Sequence, residues 1–217
     1  QNFDRSFHGT VSVREALQTS LNIPVVSLTE AIGPARLLSA LRRAGVAPQV
    51  PGGQPGLAVA LGGVGITLED LVQAYAALAR LGAPIRLSVS GEGQVLDQRL
   101  FRPEAAWMVA DILSALPPPA GAAQNGLAYK TGTSYGHRDA WALGFDGAHV
   151  TGVWLGRADG SSVPGAFGGE LAAPVLFEVF GRLKPALTPL PPPPPATLIL
   201  PNARLPQPYQ LGHAFAF

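Results

Sequence analysis

Apolar positions along this chain change period several times, and each change marks an element. Ser12-Val13-Arg14-Glu15 reads as a capping box that opens a helix through about residue 20. Asn22-Ile23-Pro24 interrupts it, and Pro24 can serve as the first-turn residue of a second helix over 25–32. Gly33-Pro34 starts a third over 35–44, with Leu37, Leu38 and Leu41 on one face and Gly45 as the stop. A Gly/Pro-rich connector over 46–56 leads to an apolar, glycine-rich stretch over 57–65. Thr67 caps a helix predicted over 68–81, with Glu69 and Asp70 at its positive end, Leu71, Tyr75 and Leu78 at helical spacing, and Gly82 after it.

The period then shortens. Residues 85–90 and 94–101 read as two strands joined through Gly91-Glu92-Gly93. Residues 103–116 return to helical spacing and stop at Pro117-Pro118-Pro119. Three strand-like runs follow over 126–134, 140–145 and 148–156, the last two joined by a tight Asp146-Gly147 turn. A final helix is predicted over 171–183. Helices, then an antiparallel meander, then a helix give an α+β fold with helices packed on one antiparallel sheet.

Residues from Pro185 onward break the pattern. Pro191 to Pro195 are consecutive prolines, so 185–197 reads as a stiff polyproline spacer. Residues 198–217 are too few for a core and read as a tail or the start of a further domain. At 217 residues the chain can hold one ordinary domain or a large part of a bigger one. Its opening at Gln1-Asn2-Phe3 and its single methionine, Met108, read as an excised or incomplete segment. Charge is sparse, and a formal net charge of +1 gives no reason to expect nucleic acid or an anionic membrane surface as partner. Cysteine is absent, which removes disulfides, thiolate metal sites and a thiol nucleophile. No apolar run is long enough to span a bilayer.

Lysine use changes the picture most. The chain has two lysines, Lys130 and Lys184, and arginine serves at every other permanently basic position. Lys130 heads Lys130-Thr131-Gly132-Thr133 in a strand-like run, where a compact ammonium of tunable pKa suits the site better than a guanidinium. Ser20-Leu21-Asn22 lies at a junction of two helices, where a hydroxyl and an amide can face a cleft. A serine acyl-transfer site needs a nucleophile, a base, an oxyanion hole and a group for the substrate carboxylate. Lys130 beside the Ser20 hydroxyl could relay protons. The Thr131 and Thr133 hydroxyls could bind a peptide carboxylate, and Gly132 lets a substrate strand approach the sheet edge. Taken singly, Ser-x-Asn is a polar turn that ends a helix, and the lysine run is an edge strand with a protective charge. Their order and structural context favour a joint site.

Other residues carry plainer readings. His137-Arg138-Asp139 could form a charge relay, but reads better as shaping the loop leaving the lysine strand and pairing locally, with a substrate contact left open by its place beside the cleft. His8, His149 and His213 are isolated, so no metal site is expected. Trp107, Trp141 and Trp154 are expected in the core. Gly62-Gly63-Val64-Gly65 lacks the spacing of a dinucleotide fingerprint and reads as a close backbone approach.

Across REALQTSLNIPVV, the run over 57–82, the helix around Trp107 to Leu113, and YKTGTSYGHRDAWALGFDGAHVTGVWLGR, the chain resembles the second half of a class A penicillin-binding protein transpeptidase domain. The segment through GHRDAW and Gly156-Arg157-Ala158-Asp159-Gly160 is most similar to the 1C subfamily, which often carries a small extra domain after the transpeptidase. The resemblance implies a β-lactamase/transpeptidase-like fold over 1–184, present in part. It implies that Ser20, Asn22 and Lys130 belong to the catalytic group, and that Thr131, Gly132, Thr133 and Ser134 bind substrate. One oxyanion N–H would come from Thr133. It implies no cofactor. The expected partners are peptidoglycan stem peptides, lipid II-derived glycan strands and β-lactams. The parent would lie in the bacterial periplasm, held to the inner membrane by an N-terminal anchor and joined to a glycosyltransferase domain.

The family's Ser-x-x-Lys nucleophile motif is absent, because Leu127 precedes Lys130 and Gly181 precedes Lys184 at that spacing. Family order places it upstream, so this chain alone is expected not to acylate. A β-lactamase or carboxypeptidase-type hydrolase and a non-catalytic scaffold are the competing readings. Against the β-lactamase, no glutamate here has asparagine four residues on.

Overall fold

The computed structural model describes residues 2, 5–165, 167–207 and 210. His213 and most of the tail after 207 lie outside the described residues. Six α-helices and five strands occur among them, in the predicted α+β order.

Helix α1 (Val13–Gln18) opens with the Ser12 hydroxyl accepting from the Glu15 N–H at 3.1 Å, one half of the expected capping box. It ends two residues early. The Leu21 N–H bonds the Ala16 carbonyl at 2.9 Å and the Ser20 N–H bonds that of Leu17, which is a Schellman closure with Ser20 in the glycine position. Helix α2 (Asn22–Ile32) starts at once, three residues before the predicted start. Leu21, its N-cap, has no polar side chain, and the cap comes from a distance: the buried Asn2 Oδ1 accepts from the Ile23 N–H at 3.1 Å. Helix α3 (Pro34–Arg43) ends before Gly45, whose φ of 81° closes the turn. A 3₁₀ turn (Leu57–Leu61) precedes helix α4 (Leu68–Ala79), which Thr67 caps by accepting from the Asp70 N–H.

The predicted hairpin shrinks to two residues per strand, β1 (Ile85–Arg86) and β2 (Gln94–Val95). The rest of the run finds other partners. The Leu100 N–H bonds the Gly82 carbonyl and Arg99 reaches the Leu81 carbonyl, so the segment tucks against the end of α4. Val89 is fully exposed.

Helix α5 (Pro103–Ser114) leads to the main sheet, β3 (Ala128–Thr133), β4 (Asp139–Phe145) and β5 (Val150–Gly156), antiparallel in the order β3-β4-β5. The register pairs Gly132 with Trp141 and Trp141 with Trp154. One face packs on α4, with Tyr75 edge-on to Phe145. The other packs on α6 (Ala173–Leu183), with Phe177 edge-on to Tyr129 and Leu176 against Gly144. A π-helical turn (Gly168–Ala172) supplies the first residues assigned to the final helix. Phe145, Leu127, Leu176 and Phe180 form the centre of the core.

The tryptophans correct the expectation of burial. Trp154 is 37% exposed and Trp141 half-buried, their rings 6.0 Å apart and tilted by 41°. Trp107 is half-buried too, its Nε1 donating to the Pro191 carbonyl at 3.0 Å. The proline-rich segment therefore begins docked: Leu187 and Leu190 pack against the core before the chain leaves it.

The Asp146-Gly147 turn is a four-residue loop closed by the Asp146 N–H on the His149 carbonyl. The buried Asp146 carboxylate accepts from the N–H groups of Ala148, His149 and Thr188 and pairs with Lys184. Burial pushes its pKa up, but Lys184 and the three backbone donors outweigh that and hold it at about 2.

Candidate active site

Ser20 and Lys130, 110 residues apart in sequence, meet where the α1–α2 junction faces strand β3: the Lys130 Nζ donates to the Ser20 Oγ. Two features put the hydroxyl there. Helix α1 is pinned to α5 by the Gln18 amide on the Ile112 carbonyl (3.1 Å) and by the exposed Arg14–Asp111 pair (2.5 Å). Ser20 itself adopts φ of 56°, left-handed backbone that costs a non-glycine residue about 1 kcal/mol. A strained serine where glycine would fit is the kind of outlier that clusters at functional sites. Asn22 follows as the first residue of α2, so its placement is tied to that of Ser20 by the same turn.

Lys130 is half-buried, and its Nζ also donates to the Thr131 carbonyl at 3.1 Å. Among the described residues no carboxylate pairs with it. Burial pushes its pKa down, which brings the neutral amine closer to neutral pH. An amine so placed can take a proton from a hydroxyl and return it.

Strand β3 has no strand partner on its outer side among the described residues. The Ser134 N–H bonds the Asp139 carbonyl at 3.0 Å, inward to β4. Alternation in an antiparallel ladder then turns the N–H groups of Thr131 and Thr133 outward, to the open edge. An extended peptide can pair with that edge. Side chains alternate too: Lys130 and Gly132 share the α4 face, and Thr131 and Thr133 the α6 face. The Thr133 Oγ1 accepts from the Gly168 N–H at 3.1 Å, and the Ser134 Oγ accepts from the Asp139 N–H at 2.9 Å. Both hydroxyls keep their own proton to donate elsewhere.

The loop beyond β3 is held on both sides. The His137 ring stands edge-on to Phe167 at 4.6 Å, and its carbonyl accepts from the Val163 N–H. Asp139 accepts from the Trp154 indole N–H at 2.8 Å. Among the described residues no group of three or more His, Cys, Asp or Glu is placed to hold a metal ion, and no helix is long and apolar enough to cross a membrane. Sequence reasoning missed two contributors, Asn2 and Gly168. Each acts through a backbone contact distant in sequence, and only the Gly168-Gly169 pair ahead of a helix was a local signal.

The family model described as "Penicillin binding protein transpeptidase domain" matches residues 1–154. The chain is 44% identical to penicillin-binding protein 1C of Escherichia coli K12 over 183 residues, which is 82% of this chain and 24% of that protein. It is 31% identical to penicillin-binding protein 1A of Aquifex aeolicus, over 72% of this chain and 23% of that protein. The chain thus spans about a quarter of the length of these relatives. Among solved structures, penicillin-binding protein 1A from Haemophilus influenzae superposes with a TM-score of 0.69 at 18% identity, covering 89% of this chain and 38% of that one. An imipenem acyl-enzyme complex of penicillin-binding protein A from M. tuberculosis does so with a TM-score of 0.62 at 23% identity, covering 81% and 48%. On the family match and the 44% identity, this chain belongs to the penicillin-binding protein transpeptidase family, in its class A branch.

Proposed function

We propose that this chain carries the Ser-x-Asn and Lys-Thr-Gly-Thr walls of a serine D,D-transpeptidase cleft that cross-links peptidoglycan stem peptides. The observation that carries the reading is the Lys130–Ser20 hydrogen bond, which joins the two motifs across the chain. In this mechanism the nucleophile is a serine upstream of Gln1. It attacks the carbonyl of the penultimate D-alanine. Lys130 and Ser20 relay its proton to the nitrogen of the departing D-alanine, and Asn22 lines the same cleft. The outward Thr133 N–H stabilises the oxyanion, and the hydroxyls of Thr131, Thr133 and Ser134 receive the terminal carboxylate. Gly132 leaves the strand edge open to the peptide. An amine of a neighbouring strand then resolves the acyl-enzyme. β-Lactams enter the same way. Residues 1–184 form the transpeptidase portion in this proposal, 185–197 the linker, and 198–217 a tail or the start of a further domain. The parent works in the periplasm on lipid II-derived glycan strands, anchored in the inner membrane and joined to a glycosyltransferase.

The test uses fluorescent penicillin. This chain alone should take no covalent label, and the parent with its upstream segment should take one label per chain. Labelling of the isolated chain would place the nucleophile within it and sink the upstream assignment. An unlabelled parent would favour a non-catalytic scaffold.

A further inference from the structure

Thr133 is the carboxylate-facing hydroxyl of the proposed cleft, and the contact that orients it comes from outside both motifs. The Gly168 N–H, first in the π-helical turn, donates to the Thr133 Oγ1 at 3.1 Å. A second observation concerns space. A Cβ on Gly168 would lie within 2.6 Å of the Trp141 carbonyl oxygen and closer still to that of Gly132. Gly132 and Trp141 are the paired residues that join β3 to β4 just before Thr133. The turn is thus pressed directly against the sheet at Gly168, which is buried there. It is also braced, because Phe167 beside it packs on the His137 ring at 4.6 Å.

We infer that Gly168 is a positioning residue for recognition of a substrate carboxylate. By donating to one lone pair of the Thr133 hydroxyl, its N–H fixes that oxygen as an acceptor on the inner side. The hydroxyl proton is then left to be donated outward. A hydroxyl held this way is a directed donor and not a free rotor, so it discriminates an anionic acceptor from a neutral one. Glycine is required because any side chain would push the turn off the strand and break the hydrogen bond. This inference rests on the proposed acyl-transfer cleft.

The test measures acylation rates of the parent protein by a labelled penicillin and by its methyl ester. Gly168→Ala should slow the carboxylate form roughly 10- to 100-fold, the range for losing one hydrogen bond to a charged group. The ester rate should stay within about twofold of wild type, because the ester lacks the anion that the bond discriminates. Thr133→Val should slow the carboxylate form more than the ester, and the double variant should be no slower than Thr133→Val alone. Equal loss with both probes, no loss, or additive losses would overturn the inference. A parent labelled by neither probe would defeat the acyl-transfer reading. The inference is then decided by saturation-transfer NMR with N-acetyl-D-alanyl-D-alanine against its C-terminal amide, where Gly168→Ala must weaken only the carboxylate ligand. If Gly168→Ala does not fold, amide exchange decides. The Gly168 N–H should exchange faster in Thr133→Val and at the wild-type rate in Thr133→Ser; no difference between them overturns it.

Discussion

Lys184 and Lys130, the chain's two lysines, are both drawn in from solvent, but they meet different partners. Lys184 ends helix α6 and reaches the buried Asp146 carboxylate and the Thr188 hydroxyl, the latter at 2.8 Å. Its charge is neutralised where it stands. Lys130 meets a hydroxyl and a carbonyl and, among the described residues, no carboxylate, and burial lowers its pKa. The first arrangement fastens structure: the Asp146 cluster holds the turn between β4 and β5 to residues 184–188. The second leaves an ammonium under-compensated, which is a cost to folding and an asset to proton transfer. Charge alone does not separate the two lysines; the lack of a counter-charge among the described residues marks Lys130 as the candidate for proton transfer.

The comparison breaks first on activity. In the parent protein, Lys130→Ala should cut the rate of penicillin acylation by about 10³-fold, within the range for a lost proton-transfer group. Lys184→Ala, remote in role, should leave it within about twofold. Timed gel labelling reads both, and similar losses would erase the distinction.

Stability should show the reverse order. Lys184→Ala leaves a buried carboxylate without its counter-charge and should cost about 3 kcal/mol in urea unfolding. Lys130→Ala removes an unfavourably buried charge and should change stability by less than about 1 kcal/mol. The pH dependence follows from Asp146. Its folded pKa of about 2 lies below the ordinary carboxylate value, so between the two the unfolded chain binds more protons. Its contribution is complete above about pH 4 and is lost as pH falls towards 2. Unfolding of wild type and Lys184→Ala should therefore converge across that window. Parallel curves would remove Lys184 from the cluster.

Ser20→Gly gives a small effect on stability, and its sign is the most discriminating. Glycine relieves the left-handed strain, so the variant should gain up to about 1 kcal/mol, while acylation slows. Loss of both stability and activity would mean that Ser20 is held for packing.

Local chemistry was legible in the sequence where a side chain acts on its own neighbours. Ser12 and Thr67 cap the helices they were assigned to, and Gly45 and Gly82 close turns at positive φ. The three-strand meander follows the period-two runs, with no end displaced by more than two residues. The juxtaposition of Ser20 and Lys130 was readable because two short motifs stood in a recognisable order. Long-range backbone contacts were not readable. Asn2 caps a helix that begins twenty residues later, and Gly168 serves Thr133 from the far side of two strands. Tryptophan size suggested a core, but Trp141 and Trp154 lie towards the exposed end of the sheet, where the indole N–H of Trp154 has Asp139 to bind. The polyproline composition gave stiffness and not destination, and only the structure shows Pro191 under Trp107.

Two lysines also make the central claim directly measurable. With lysine labelled at the ε-carbon, the chain gives two signals, and Lys184→Arg assigns the one from Lys130. The Lys130 signal should titrate at a lower pH than a blocked free lysine in the same buffer, and its midpoint should move when Ser20 is replaced by glycine. Titration at or above the free-lysine midpoint, unmoved by Ser20→Gly, would contradict the account.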